Sequence, residues 1–230
     1  MTEELYVGGA QIDFEEARNF ARRYFGSEGR TWSYPAYDSY PGHPGPAVGH
    51  ADLLAVALLN AHQKPVETYY GLESMLPIIN GRLADPHLTG SLAEAGEQTI
   101  EALARLFGTL DEHKPSQVGL TKLSKVLHRK RPELIPLYDK NIYSCYVGEG
   151  RPLPEDDNRS WFNLAKLLMR AMKFDLESQI DSWRAIAALA TGPAVTPLRA
   201  MDIIGWRLGA QIRDSSYLGE FRHRRASTAA

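Results

Sequence analysis

Two lysines and one aspartate carry the clearest chemical signal in the sequence. They stand in "GLTKLSKVLHRKRPELIPLYDKN", Gly119 to Asn141. A lysine amine beside a carboxylate can move a proton or, once deprotonated, attack a carbonyl carbon. Lys122, Lys125 and Asp139 are therefore candidate catalytic residues. Other readings stay open. Lys122 and Lys125 are three residues apart and Arg129 lies four further on, which places all three on one row of a helix. That row faces away from Leu123, Val126 and Leu127 and could meet phosphates, or only water. Asp139 could equally cap a helix starting at Lys140, or pair with Arg131 or Lys130.

A second concentration of polar and aromatic groups lies in "TWSYPAYDSYPGHPGPAVGH". Tyr34, Tyr37 and Tyr40 could stack on a base or line a small-molecule pocket, with Asp38 beside them. Together with His128, Arg129 and Arg131 they form the candidate substrate- or nucleic-acid-binding set. Plain packing is the alternative. Late in the chain Asp202 sits within the apolar run "LRAMDIIGWRLG" and needs a donor if buried. Arg199, three residues earlier, supplies one, and a structural salt bridge is the expectation.

These residues must be positioned by helices. Phe14 to Tyr24 reads as an amphipathic helix with Asp13 as its cap and Glu16 in the boxed position. "ADLLAVALLNAH" reads as a buried helix, and "SLAEAGEQTIEALARLFGTL" as an amphipathic one capped by Ser91. "VGLTKLSKVLHRK" has apolar residues at helical spacing. Ser160 and Asp175 are expected to cap the two helices that follow, and "TPLRAMDIIGWRLGAQI" is the last strong helix. The proline-rich 31–50 segment cannot be a regular element, and its aromatic content argues for an ordered loop rather than a disordered one. No stretch alternates strictly enough to be read as a strand. The expected fold is all-α, a single globular multi-helix domain over residues 1–220, followed by a basic flexible tail at 221–230.

Bulk composition narrows the function. The 230 residues are 43% hydrophobic, with a formal net charge of -2. A uniformly basic nucleic-acid coat is excluded, whereas a local basic face is not. The single cysteine, Cys145, cannot form an intrachain disulfide or a cysteine-based zinc cluster. The histidines show no ligand spacing, and neither a phosphate-binding loop nor a dinucleotide fingerprint is present. No metal or cofactor is expected. No apolar run approaches the roughly 18 residues of a membrane span, and the first residues do not resemble a signal peptide. The expected location is cytoplasmic.

Two resemblances add to this. "YPAYDSYPG…ADLLAVALLN", "GLTKLSKVLHRKRPELIPLYDKNI" and "LRAMDIIGWRLG" resemble blocks of an uncharacterised, mainly actinobacterial protein family. That likeness implies no activity. Gly119, Lys122 and the approach "PLYD" to Asp139 resemble, in order, the hairpin, lysine and aspartate of helix-hairpin-helix DNA glycosylases. The resemblance implies two packed helical subdomains. It also implies a Schiff-base lysine at Lys122 or Lys125, and an aspartate at Asp139 that assists base loss. Here "PSQVGLTK" holds one glycine where that family has several. The leading functional expectation is a helical protein that contacts DNA or RNA, with base-directed glycosylase- or lyase-like chemistry. A small-molecule enzyme with its pocket at the 34–52 loop, and a non-enzymatic scaffold, are the alternatives.

Overall fold

The computed structural model describes residues 3–26, 32–61 and 63–227, with side chains through residue 215. Thr31, the first residue of the expected loop, and the side chains of the expected basic tail lie outside the described residues. The chain opens with a hairpin that corrects the strand-free expectation. Strands β1 (Glu4–Val7) and β2 (Ala10–Asp13) pair antiparallel, with Leu5 opposite Ile12 and Val7 opposite Ala10. Alternation is present, but over only four residues in each strand, too few to stand out from a helical background. Gly8 and Gly9 form the turn, the residue types that a two-residue hairpin favours. Gly8 has φ +61°, and a Cβ there would meet the Cys145 carbonyl oxygen at 2.2 Å.

The rest of the fold is mostly helical. Helix α1 (Phe14–Gly26) starts as expected, with the Glu16 amide donating to the Asp13 carboxylate at 3.0 Å. Residues 50–59 form the expected helix, and it is of the 3-10 type. Its sequence is apolar on all sides, which describes burial but leaves the helix type open. Helices α2 (Pro65–Glu73) and α3 (Leu76–Leu83) follow. Helix α4 (Glu97–Phe107) begins later than the Ser91 cap implied, because Gly96 starts it and Ser91 donates instead to Glu94. Then come α5 (Thr109–Glu112), α6 (Leu120–His128), α7 (Lys140–Tyr146), α8 (Trp161–Ser178), α9 (Ile180–Ala187) and α10 (Pro197–Ser227). Ser160 caps α8 as expected, accepting from the Asn163 amide. Asp175 does not cap a helix. It lies buried inside α8 and accepts from the Gly8 amide at 2.6 Å and the Tyr146 hydroxyl at 2.8 Å, tying α8 to the hairpin turn and to α7.

One cluster of buried apolar side chains runs from Leu5 to Leu208. Helix α10 crosses α7 so closely that a Cβ on Gly209 would lie 1.9 Å from the Asn141 carbonyl oxygen. This crossing fixes the start of α7, and therefore Asp139, against the helix that carries Arg199 and Asp202. Among the described residues no helix is long and apolar enough to cross a membrane.

Candidate functional site

Helix α6 is buried all along from Lys122 to His128. The expected outward basic row therefore does not face water. Its apolar side packs into the core. Its polar side is covered by the 32–48 loop, the 3-10 helix and α2, and the cations on it are satisfied mainly by backbone carbonyls. The Lys122 amine donates to the Thr68 hydroxyl at 2.6 Å and to the Gln63 carbonyl at 3.1 Å. The Lys125 amine donates to the Leu59 carbonyl at 2.8 Å. The Arg129 guanidinium reaches the carbonyls of Asp38 and Tyr40. Lys130 pairs with the buried Asp52 at 2.7 Å, and Arg131 donates to the carbonyls of Leu88 and Lys130. A buried cation needs such partners, so the spacing that suggests a phosphate-facing row here serves internal docking.

The aromatic loop is likewise pinned. Tyr34 and Tyr37 are buried. The Tyr34 hydroxyl accepts from the Gly192 amide and donates to the Pro193 carbonyl. The Tyr37 hydroxyl donates to the Lys125 carbonyl at 2.7 Å, and that of Tyr40 donates to the Ala51 carbonyl. The guanidinium carbons of Arg129 and Arg199 each lie 5.5 Å from the Tyr37 ring centre, and His128 stacks on the same ring. Burial pushes the His128 imidazole down to about 4, with the Arg199 charge acting the same way.

Where the lysines meet the rest of the fold there is a cavity of about 580 Å³. Lys122 and Lys125 line it from α6. Asp139, Lys140 and Asn141 line it from the start of α7, and Arg199, Asp202, Ile203, Trp206 and Arg213 from α10. Tyr24, Trp32, Ser33, Asn60, Ala61, Gln63, Gln117 and Tyr138 complete much of the wall. The three candidate catalytic residues are thus brought to one space. The binding candidates Tyr34, Tyr37, Asp38, Tyr40, His128, Arg129 and Arg131 are not among its lining residues. Of these, Tyr37 holds the Lys125 carbonyl and faces the Arg199 guanidinium, and Asp38 pairs with Arg199.

Asp139 is the N-cap of α7. Its Oδ1 accepts from the amides of Asn141 at 2.8 Å and Ile142 at 3.0 Å, and neither bond uses Oδ2. Capping, one of the readings open from sequence, coexists with exposure to the cavity. Across it stands a buried charge cluster. Arg199 donates to Asp38 at 2.9 Å and also pairs with Asp202. Burial opposes the Arg199 charge, but Asp38 and Asp202 keep it firmly protonated. Burial also pushes the Asp202 carboxyl up to about 6, against the pull of Arg199 and with help from the Asp139 charge. Burial lowers the Lys125 amine from its usual range, and the Asp139 and Asp202 charges counter it. The wall thus offers a lysine with an eased path to the free amine, one capped carboxylate and one carboxylate titrating in the mildly acidic range. That set can transfer protons or form a carbonyl adduct.

The wall holds more cations than carboxylates: Lys122, Lys125, Lys140, Arg199 and Arg213 against Asp139 and Asp202. Helix α6 also begins at the cavity with Gly119, which supplies no side-chain cap. Among the described residues no group of three histidine, cysteine or acidic side chains is placed to hold a metal ion.

The match to a known family covers residues 17–209, and the family is described as a family of unknown function, DUF6308. The chain belongs to DUF6308. The matched region contains the lysines, Asp139, Arg199 and Asp202, so most of the cavity wall lies within the DUF6308 portion. Arg213 falls just beyond it. No curated protein and no solved structure matches the chain significantly.

The sequence points to Arg199 and Asp202 as a structural ion pair, and the structure places that pair on the cavity wall. The signal was a carboxylate inside an apolar helix. What it lacked was the long-range partner, Asp38, and the cavity on the other side. Trp32, Trp206 and Tyr138 carried no distinguishing pattern.

Proposed function

We propose that the cavity receives a single nucleotide extruded from a DNA or RNA strand, and that Lys125 and Asp139 act on it in base-directed, lyase- or glycosylase-like chemistry. The observation that carries this reading is the convergence of Lys125, Asp139 and Asp202 on one space of about 580 Å³, within the usual range for a small-molecule site. The cationic excess of the wall suits a phosphate-bearing ligand. The aromatic side chains of Trp32, Tyr138 and Trp206 line the cavity, and aromatic rings are what a base outside its stack packs on. Lys125 fits the amine role better than Lys122, because two hydrogen bonds tether the Lys122 amine to the 63–68 segment. In this chemistry water takes the place of the departing base at the sugar carbon and its proton goes to the base; the ring opens to the aldehyde, and the free Lys125 amine adds to that carbon with loss of water to give an imine. Asp139 stabilises the positive charge that develops on the sugar as the base departs.

Mobility-shift titrations with single-stranded, duplex and abasic-site oligonucleotides at two salt concentrations test the reading. Binding that weakens with salt and prefers the abasic or single-stranded form is expected. Absence of salt-dependent binding to all three contradicts it.

A second reading is an enzyme acting on a free small molecule in the same cavity. It is favoured by the internal commitments of Lys122, Lys125 and Arg129, which remove the expected phosphate row, and by the near-neutral net charge. It requires saturable binding of low-molecular-weight anions without oligonucleotide binding. The scaffold alternative asks for a body without a cavity and ranks behind both.

A further inference from the structure

Three non-glycine residues among those described have positive φ: Asn60 at 56°, Lys64 at 49° and Gln117 at 62°. Two of these three, Asn60 and Gln117, line the cavity. Both are exposed. The left-handed region is costly for side chains other than glycine. Asparagine tolerates it better than most, and glutamine has no such dispensation. Packed neighbours hold both positions there. Beside Asn60, the Leu59 carbonyl accepts from Lys125 and the Ala61 amide donates to Val56. Beside Gln117, the 115–118 segment lies against Gly71, where a Cβ would meet the Ser116 carbonyl at 2.5 Å. Asn60 also closes the 3-10 helix as its left-handed C-cap, a place that glycine or asparagine fills, whereas the Gln117 backbone would be served best by glycine. The sequence keeps a carboxamide at each.

We infer that Asn60 and Gln117 are specificity-determining residues whose carboxamides read the hydrogen-bonding edge of the ligand's base. A carboxamide offers one acceptor and two donor hydrogens, the combination that pairs with a nucleobase edge in two places. Strained backbone positions cluster at ligand-binding sites because the surrounding fold can impose them there. This inference rests on the cavity's being a nucleotide site.

Glycine substitution separates recognition from structure. Asn60→Gly and Gln117→Gly remove the carboxamide while relieving the backbone, so neither should lower the melting temperature. The probes are the four deoxynucleoside 5′-monophosphates, titrated into the full chain by tryptophan fluorescence, with Trp32 and Trp206 on the wall as reporters. The wild type is expected to prefer one base. Each glycine variant is expected to bind that nucleotide about tenfold more weakly, the scale of one lost hydrogen bond, and to discriminate less. If both variants keep wild-type affinity and preference while Lys125→Met weakens binding, the inference is overturned and the nucleotide site stands. Binding without any base preference also overturns it. If the wild type binds none of the four, the inference falls, and the oligonucleotide titrations decide the function separately.

Discussion

The hydroxyl of Tyr37 donates to the backbone carbonyl of Lys125 at 2.7 Å. The bond ties the proline-rich loop to the lysine-bearing helix through a buried ring. Tyr37→Phe should remove this bond and leave a buried carbonyl short of a donor. The expected loss is roughly 1–2 kcal/mol, read as a lower urea midpoint with an unchanged slope. An unchanged midpoint would show that the loop does not brace α6.

The Arg199 cluster should be more sensitive. Arg199→Met leaves Asp38 and Asp202 buried without their cation, at a cost of roughly 3–5 kcal/mol near neutral pH. The loss should shrink as pH falls, because Asp202, whose carboxyl burial pushes up to about 6, then takes up a proton. Thermal melts of the variant at pH 7 and pH 5 measure this. A pH-independent deficit would assign the effect to lost packing.

His128 predicts a pH dependence of the wild type. Its folded pKa, about 4, lies below the unfolded value of about 6.5. The unfolded chain therefore binds this proton more readily. The stability associated with a neutral His128 is present above about pH 6.5 and is lost as pH falls towards 4, by up to about 3 kcal/mol. Denaturant titrations between pH 7 and pH 4 should show this decline, with a shallower slope in His128→Gln. Equal slopes would remove His128 as its source.

Much of the helical framework was legible because it depends on local rules. Asp13 and Ser160 cap the helices their positions announced, and the apolar spacing of α6 marks a real helix. The hairpin was harder, since four-residue strands carry little periodic signal. Asp175 was misplaced as a cap because the competing partners, Gly8 and Tyr146, are 167 and 29 residues away in sequence. The same limit applies to the site. Lys125 and Asp139 could be named from their order, but their meeting in a cavity depends on α10 crossing α7 at Gly209. The outward basic row failed because sequence spacing places residues on one face without saying what covers it.

That crossing gives a paired test. Gly209→Ala places a methyl group against the Asn141 backbone and should cost roughly 1–3 kcal/mol or more, disturbing the cavity wall beside Asp139. In Gly81→Ala the added methyl group meets nothing within 4 Å. On helix α3 that change should be neutral or stabilising by about 0.5–1 kcal/mol. Comparable melting temperatures for the two variants would contradict the close approach of α7 and α10.

We propose that the Lys125 amine acts as a nucleophile within the cavity of about 580 Å³. Borohydride trapping with an abasic-site oligonucleotide tests it most directly, because reduction of an imine fixes the protein to the strand. A covalent adduct is expected, with its peptide map placing the bond at Lys125. Lys125→Met should lower its yield at least about a hundredfold, the scale of removing a nucleophile, while Lys122→Met retains it. No adduct, or an adduct that persists in Lys125→Met, would contradict the claim.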